Sequence, residues 1–134
     1  MKLDPRLQSD SVYLCDLELC QVRLQDDSRY PWIVLVPRVD NMTEVHDLSN
    51  DLQIKLIRES SRVAEALARV TDCKKVNVAN LGNVVSQLHW HVVARFEGDE
   101  TWPGPIWGFG KSVPYTDKKR ADFVDSFLAE LSAN

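Results

Sequence analysis

Two of the chain's three histidines, His89 and His91, stand two residues apart in Gln87-Leu88-His89-Trp90-His91-Val92-Val93. On a β-strand, whose side chains alternate between faces, this spacing sends Gln87, His89 and His91 to one face and Leu88, Trp90 and Val92 to the other. Adjacent imidazoles repel if both are protonated. At least one should therefore stay neutral near neutral pH, available as a nucleophile or base. The pair is open to two other readings, as ornament on a sheet face or as two ligands of a zinc ion. Zinc needs about three or four protein ligands, and the other candidates, His46, Cys73 and scattered carboxylates, stand at no informative spacing. No metal is expected.

Hydrophobic periodicity gives the scaffold that carries these residues. Val12, Leu14, Leu17, Leu19, Val22 and Leu24 suit one or two half-buried strands. A turn-rich link over residues 26–31 leads to Trp32-Ile33-Val34-Leu35-Val36, a β-branched and aromatic run closed by Pro37, as expected of a central strand covered on both faces. From Ser49, a plausible N-cap, Leu52, Leu56, Val63, Leu67 and Val70 recur at helical spacing, with Lys55, Arg58, Glu59, Arg62, Glu65 and Arg69 assigned to the opposite face. Strands are expected over Lys75 to Ala79 and Leu88 to Phe96, and a second helix over about 117–132, striped by Phe123, Val124, Phe127, Leu128 and Leu131. Residues 102–110, with two prolines and three glycines, form a loop carrying Trp102 and Trp107. The sum is one α+β domain over residues 1–134, a mainly antiparallel sheet of about five strands with two helices on one side.

Composition bounds the partners. Sixteen basic and 20 acidic residues give a net charge of -4, with no long basic run, which disfavours nucleic acid and anionic membranes. The longest apolar stretch, Trp32 to Val36, is far short of the roughly 20 residues a spanning helix needs. The N-terminus lacks the apolar region of a signal peptide, and Cys15, Cys20 and Cys73 form no C-x-x-C pair. A cytoplasmic protein with reduced thiols is expected.

The stretch Gly82 to Arg95 resembles the motif of the histidine-triad family, H-φ-H-φ-H-φ-φ with φ hydrophobic. Tyr30 to Arg38 resembles that family's central strand, and His46-Asp47-Leu48 the start of its helix. Trp102 to Gly108 resembles the segment after the motif in a bacterial branch of small hydrolases. The resemblance spans roughly residues 10 to 110. It implies a homodimer that binds a purine nucleotide and cleaves at the α-phosphate of a nucleoside phosphoramidate, a dinucleoside polyphosphate or an adenylylated compound. On this reading His89 is the nucleophile that becomes covalently nucleotidylated, and His91 stabilises charge on the phosphate oxygens.

The first histidine of the motif is Gln87 here. Its backbone carbonyl can still fix the tautomer of His89, and its side chain can still form hydrogen bonds on the same face, but it cannot carry a proton. The alternative is therefore a nucleotide-binding module of the same fold with little or no turnover. Asn80 and Asn83, flanking Gly82, are phosphate or leaving-group contacts on the family reading and turn residues otherwise. Asp26 or Asp27 could grip the ribose hydroxyls or belong to a solvated turn. Trp32 and Trp90 read as core, and His46 as a structural residue. No cofactor is implied beyond Mg²⁺ carried by a polyphosphate substrate.

Overall fold

The computed structural model describes residues 1–133. Its centre is one antiparallel sheet of five strands: β1 (Ser11–Asp16), β2 (Cys20–Gln25), β3 (Trp32–Pro37), β4 (Lys75–Ala79) and β5 (Trp90–Arg95), in the spatial order β1-β2-β3-β5-β4. The segment from Val12 to Leu24 is thus two strands, joined by a tight turn in which Leu17 N–H donates to the Cys20 carbonyl at 2.8 Å. β3 is buried along its whole length. Its continuous apolar run serves two cores because its alternate residues face opposite ways. Ile33 and Leu35 join Val22, Leu24, Val92 and Ala94 beneath the helices. Trp32, Val34 and Val36 join Val93, Tyr30 and Ile106 on the reverse face.

Two long helices cover the first face. α2 (Asn50–Thr71) starts at Ser49, whose hydroxyl accepts Leu52 N–H, and ends at Asp72 in the left-handed conformation. It buries Leu56, Val63, Ala66 and Leu67, and α3 (Asp117–Ala133) adds Phe127 and Leu131. Glu59 does not lie on the solvent face assigned to it. It is buried, and its two carboxylate oxygens each accept at 2.8 Å from Leu19 N–H and Cys20 N–H. A helix carboxylate thus satisfies the backbone donors of the β1–β2 turn, which would otherwise be costly to bury.

The expected pair of helices is joined by a short third, α1 (Pro5–Asp10), capped by the Asp4 carboxylate and packed through Leu7 on the reverse face of the sheet. The helices are therefore not confined to one side. The strand expected over Leu88–Phe96 shortens to β5, because Leu88 N–H donates to the Met42 carbonyl at 2.9 Å instead of joining the ladder. Among the described residues no helix is long and apolar enough to cross a membrane.

Candidate active site

The alternation expected around the histidines is present. Leu88, Trp90 and Val92 face the helix-covered core, where Trp90 Nε1 donates to the Ser60 hydroxyl of α2 at 2.9 Å. His89, just before β5, and His91, within it, lie together on the reverse face, with ring centroids 4.9 Å apart in an edge-on arrangement. Both are largely buried, at 5% and 6% exposure.

Each ring is fixed in one orientation by a different partner. His89 Nδ1 lies 2.7 Å from the Gln87 backbone carbonyl. A carbonyl only accepts, so Nδ1 carries the proton, and in the neutral ring the lone pair is on Nε2. His91 Nδ1 accepts from Trp32 Nε1–H at 2.9 Å. An indole N–H only donates, so the His91 proton is on Nε2. The two rings therefore offer opposite functions, a lone pair on His89 and a donor on His91. Trp107 completes the wall, its ring 5.5 Å from His91 and 6.3 Å from Trp32. Its indole Nε1 is buried without a partner among the described residues, a donor aimed at no protein acceptor.

Burial, and secondarily the neighbouring His89, push the His91 pKa down to about 3. The folded ring therefore stays neutral to about pH 3, whereas the unfolded chain takes up a proton near 6.5. Between those values the unfolded state binds the extra proton, so this contribution to stability falls as pH falls. The stability difference between the wild type and His91→Gln is expected to narrow below about pH 6.5, with a slope approaching about 1.4 kcal/mol per pH unit. Urea titrations at several pH values between 7 and 4 measure it.

The Gln87 side chain both accepts and donates, but to the N-terminal segment and not to either histidine: Oε1 accepts Asp4 N–H at 2.7 Å and Nε2 donates to the Lys2 carbonyl at 3.1 Å. Only its backbone serves His89. Asn80 and Asn83 are exposed and line, with Thr43, Glu44, Gly82 and Ser86, a cleft of about 190 Å³. Asp26 Oδ1 accepts Tyr115 N–H at 2.9 Å. Asp27 is buried, pairs with Arg29 at 2.8 Å and accepts Val113 N–H at 3.2 Å. Both carboxylates tie the β2–β3 link to the segment before α3. His46 is exposed in a 3-10 turn ahead of α2. Among the described residues no group of three or more His, Cys, Asp or Glu could hold a metal ion.

Sequence reasoning assigns Trp32 to the core and leaves Trp107 open; the structure brings both to His91. Sequence reasoning also misses a hub behind them. Arg95, 1% exposed, pairs with Asp99 at 2.7 Å and donates to Asn77 Oδ1 and to the Gly104 carbonyl. Asp99 in turn accepts from Phe96, Thr101 and Trp102 N–H. Together they hold the start of the loop that carries Trp107.

A family model described as HIT domain matches residues 6–98. A histidine triad protein from Sinorhizobium meliloti is 43% identical, with 96% of each chain covered and a TM-score of 0.95. Histidine triad proteins from Bradyrhizobium japonicum and Marinobacter aquaeolei are 38% and 40% identical, both with TM-scores of 0.95. The first covers 97% of both chains, and the second covers 98% of this chain and 96% of its own. No curated protein matches.

Proposed function

This chain belongs to the HIT-domain family, one of nucleotide-binding hydrolases and transferases, and from that premise we propose that it hydrolyses a nucleotidyl bond through His89. The observation that carries the reading is the pair of oppositely fixed rings, one presenting a lone pair and the other a neutral N–H donor. His89 Nε2 attacks the α-phosphorus of a purine nucleoside phosphoramidate, dinucleoside polyphosphate or adenylylated compound. The N–P bond forms as the bond to the leaving group breaks, and the electron pair departs with that group. Water then attacks phosphorus, the N–P pair returns to Nε2, and a nucleoside monophosphate is released with the water's proton. Splitting one displacement into two lowers each barrier.

His91 Nε2–H donates to a nonbridging phosphate oxygen on which charge builds. A neutral donor is suited to this because its proton is not lost near neutral pH. Asn80 and Asn83 supply amide donors from the cleft before the motif. For Asp26 the bond to Tyr115 favours a structural role over a ribose contact. A homodimer belongs to the same reading, with the edge strand β4 and its exposed Val78 as the surface that supports it.

Rapid mixing with a dinucleoside triphosphate, followed by denaturation and mass spectrometry, is expected to find the nucleotidyl group on the His89 peptide. Turnover with no adduct at any mixing time refutes the covalent route. A melting temperature raised by AMP, with no turnover over a panel of the three substrate classes, marks the chain as a binding module.

A further inference from the structure

A buried N–H that meets no acceptor has given up its bonds with water for nothing, and nearly all such groups in folded proteins are satisfied. Trp32 and Trp90 follow the rule, spending their indole N–H groups on His91 and Ser60. Trp107 breaks it. The residue is half-buried, yet its Nε1 is turned inward, buried with no partner among the described residues. The ring packs against the reverse-face core, 5.5 Å from the His91 ring and at 68° to it.

The backbone around Trp107 is held on both sides. Arg95 donates to the Gly104 carbonyl at 2.8 Å, and Arg29 to the Phe109 carbonyl at 2.7 Å. Each guanidinium is itself fixed by a carboxylate, Asp99 at 2.7 Å and Asp27 at 2.8 Å. Ile106 is buried in the core, and Gly108, at φ +84°, turns the chain directly after the indole in a conformation that favours glycine. Two ion pairs thus hold an unsatisfied donor beside the ring whose Nε2–H is left for a phosphate oxygen. Backbone ordered in advance lowers the cost of binding, so that only the indole side chain has to turn.

We propose that Trp107 Nε1–H is the second donor of the site: it bonds a nonbridging phosphate oxygen of the bound nucleotide, beside the one that His91 takes. The proposal rests on the nucleotide reading of the histidine pair and adds a binding residue to it. His91, at 6% exposure, is covered in part by the indole, so a phosphate that reaches it turns the indole aside and meets its N–H. An indole N–H only donates and does not titrate, so the contact holds at any pH at which the protein is folded. A nucleoside has no phosphate and leaves Trp107 unsatisfied.

The test follows the indole N–H resonance of Trp107 by proton–nitrogen NMR on the full chain, assigned by its loss in Trp107→Phe, as AMP, GMP, adenosine or guanosine is added. The nucleotides are expected to move that resonance downfield and slow its exchange with solvent, and the nucleosides to leave it in place. Benzothienylalanine at position 107, in which sulfur replaces the N–H in a ring of the same shape, should lower nucleotide affinity about tenfold or more. Its affinity for the nucleosides should not change. Without ligand its melting temperature should equal or exceed that of wild type, because the replacement removes an unsatisfied donor and keeps the packing. A resonance that neither nucleotide moves, or nucleotide affinity unchanged by the replacement, makes Trp107 a packing residue and overturns the proposal while nucleotide binding stands. A fall in the ligand-free melting temperature shows an N–H already bonded within the fold and overturns it too. Wild type that binds neither nucleotide removes the reading of the site and this inference together.

Discussion

His89→Ala is expected to lower kcat by about four orders of magnitude on any substrate the wild type turns over, and to abolish the covalent adduct. On the proposed mechanism the loss is large because the variant removes the attacking atom and leaves only the binding and charge-stabilising groups. The structural cost is small. The ring's one hydrogen bond is to the Gln87 carbonyl, and the ladder bonds of β5 begin beyond it, so the thermal transition should stay cooperative. His91→Ala provides the contrast. On the same mechanism it removes a donor to the transition state, worth about 10² to 10³ in kcat, and the adduct should still form, more slowly. Steady-state kinetics and denaturing mass spectrometry on both variants separate the two roles. A His89→Ala protein within tenfold of wild type would place the nucleophile elsewhere.

The second large effect is on stability. Asp99→Ala leaves the Arg95 guanidinium buried without its carboxylate and frees the N–H groups of Phe96, Thr101 and Trp102 together. Breaking a buried pair from one side costs about 3–5 kcal/mol, and equilibrium urea unfolding should show a loss of that size. The pH dependence has a definite sign. Burial pushes the Asp99 carboxyl up, but hydrogen bonds from Arg95, Phe96 and Thr101 outweigh it and hold the group down to about 2. A folded pKa below the unfolded one stabilises fully above about pH 4 and is lost as pH falls toward 2. The gap between wild type and Asp99→Ala should therefore close in acid. Because the hub holds the loop leading to Trp107, the variant should also change tryptophan fluorescence at neutral pH.

The sheet, the two long helices and the pairing of His89 with His91 were legible because each depends on a period in the sequence: two for β5, close to 3.6 for α2, and a continuous run for β3. The family resemblance matches the order read from those periods. What escaped depends on contacts between residues far apart in the chain. Glu59 fits a polar helix face by spacing, and only the docking of the β1–β2 turn turns it inward. Trp32 and His91 are 59 positions apart, and nothing local to Trp32 marks its indole N–H as a ring anchor. Arg95 and Asp99 are only four positions apart, but the importance of the pair lies in burial, which spacing does not report. α1 is different: Asp4 followed by Pro5 is a local helix-start signal that the sequence does carry.

The opposite facing of consecutive residues from Leu88 to Ala94 also sets which genetic changes the protein can survive. A substitution on this stretch alters one side chain, whereas the loss or gain of a single codon shifts the phase of everything after it. His91 would be carried under α2, and Trp90 or Val92 would take its place in the site. The loop from Leu81 to Ser86 has no such phase to keep, since it pairs with no strand. Length variation among relatives should therefore be absent from the strand, so that the histidine pair diverges by replacement and never by insertion.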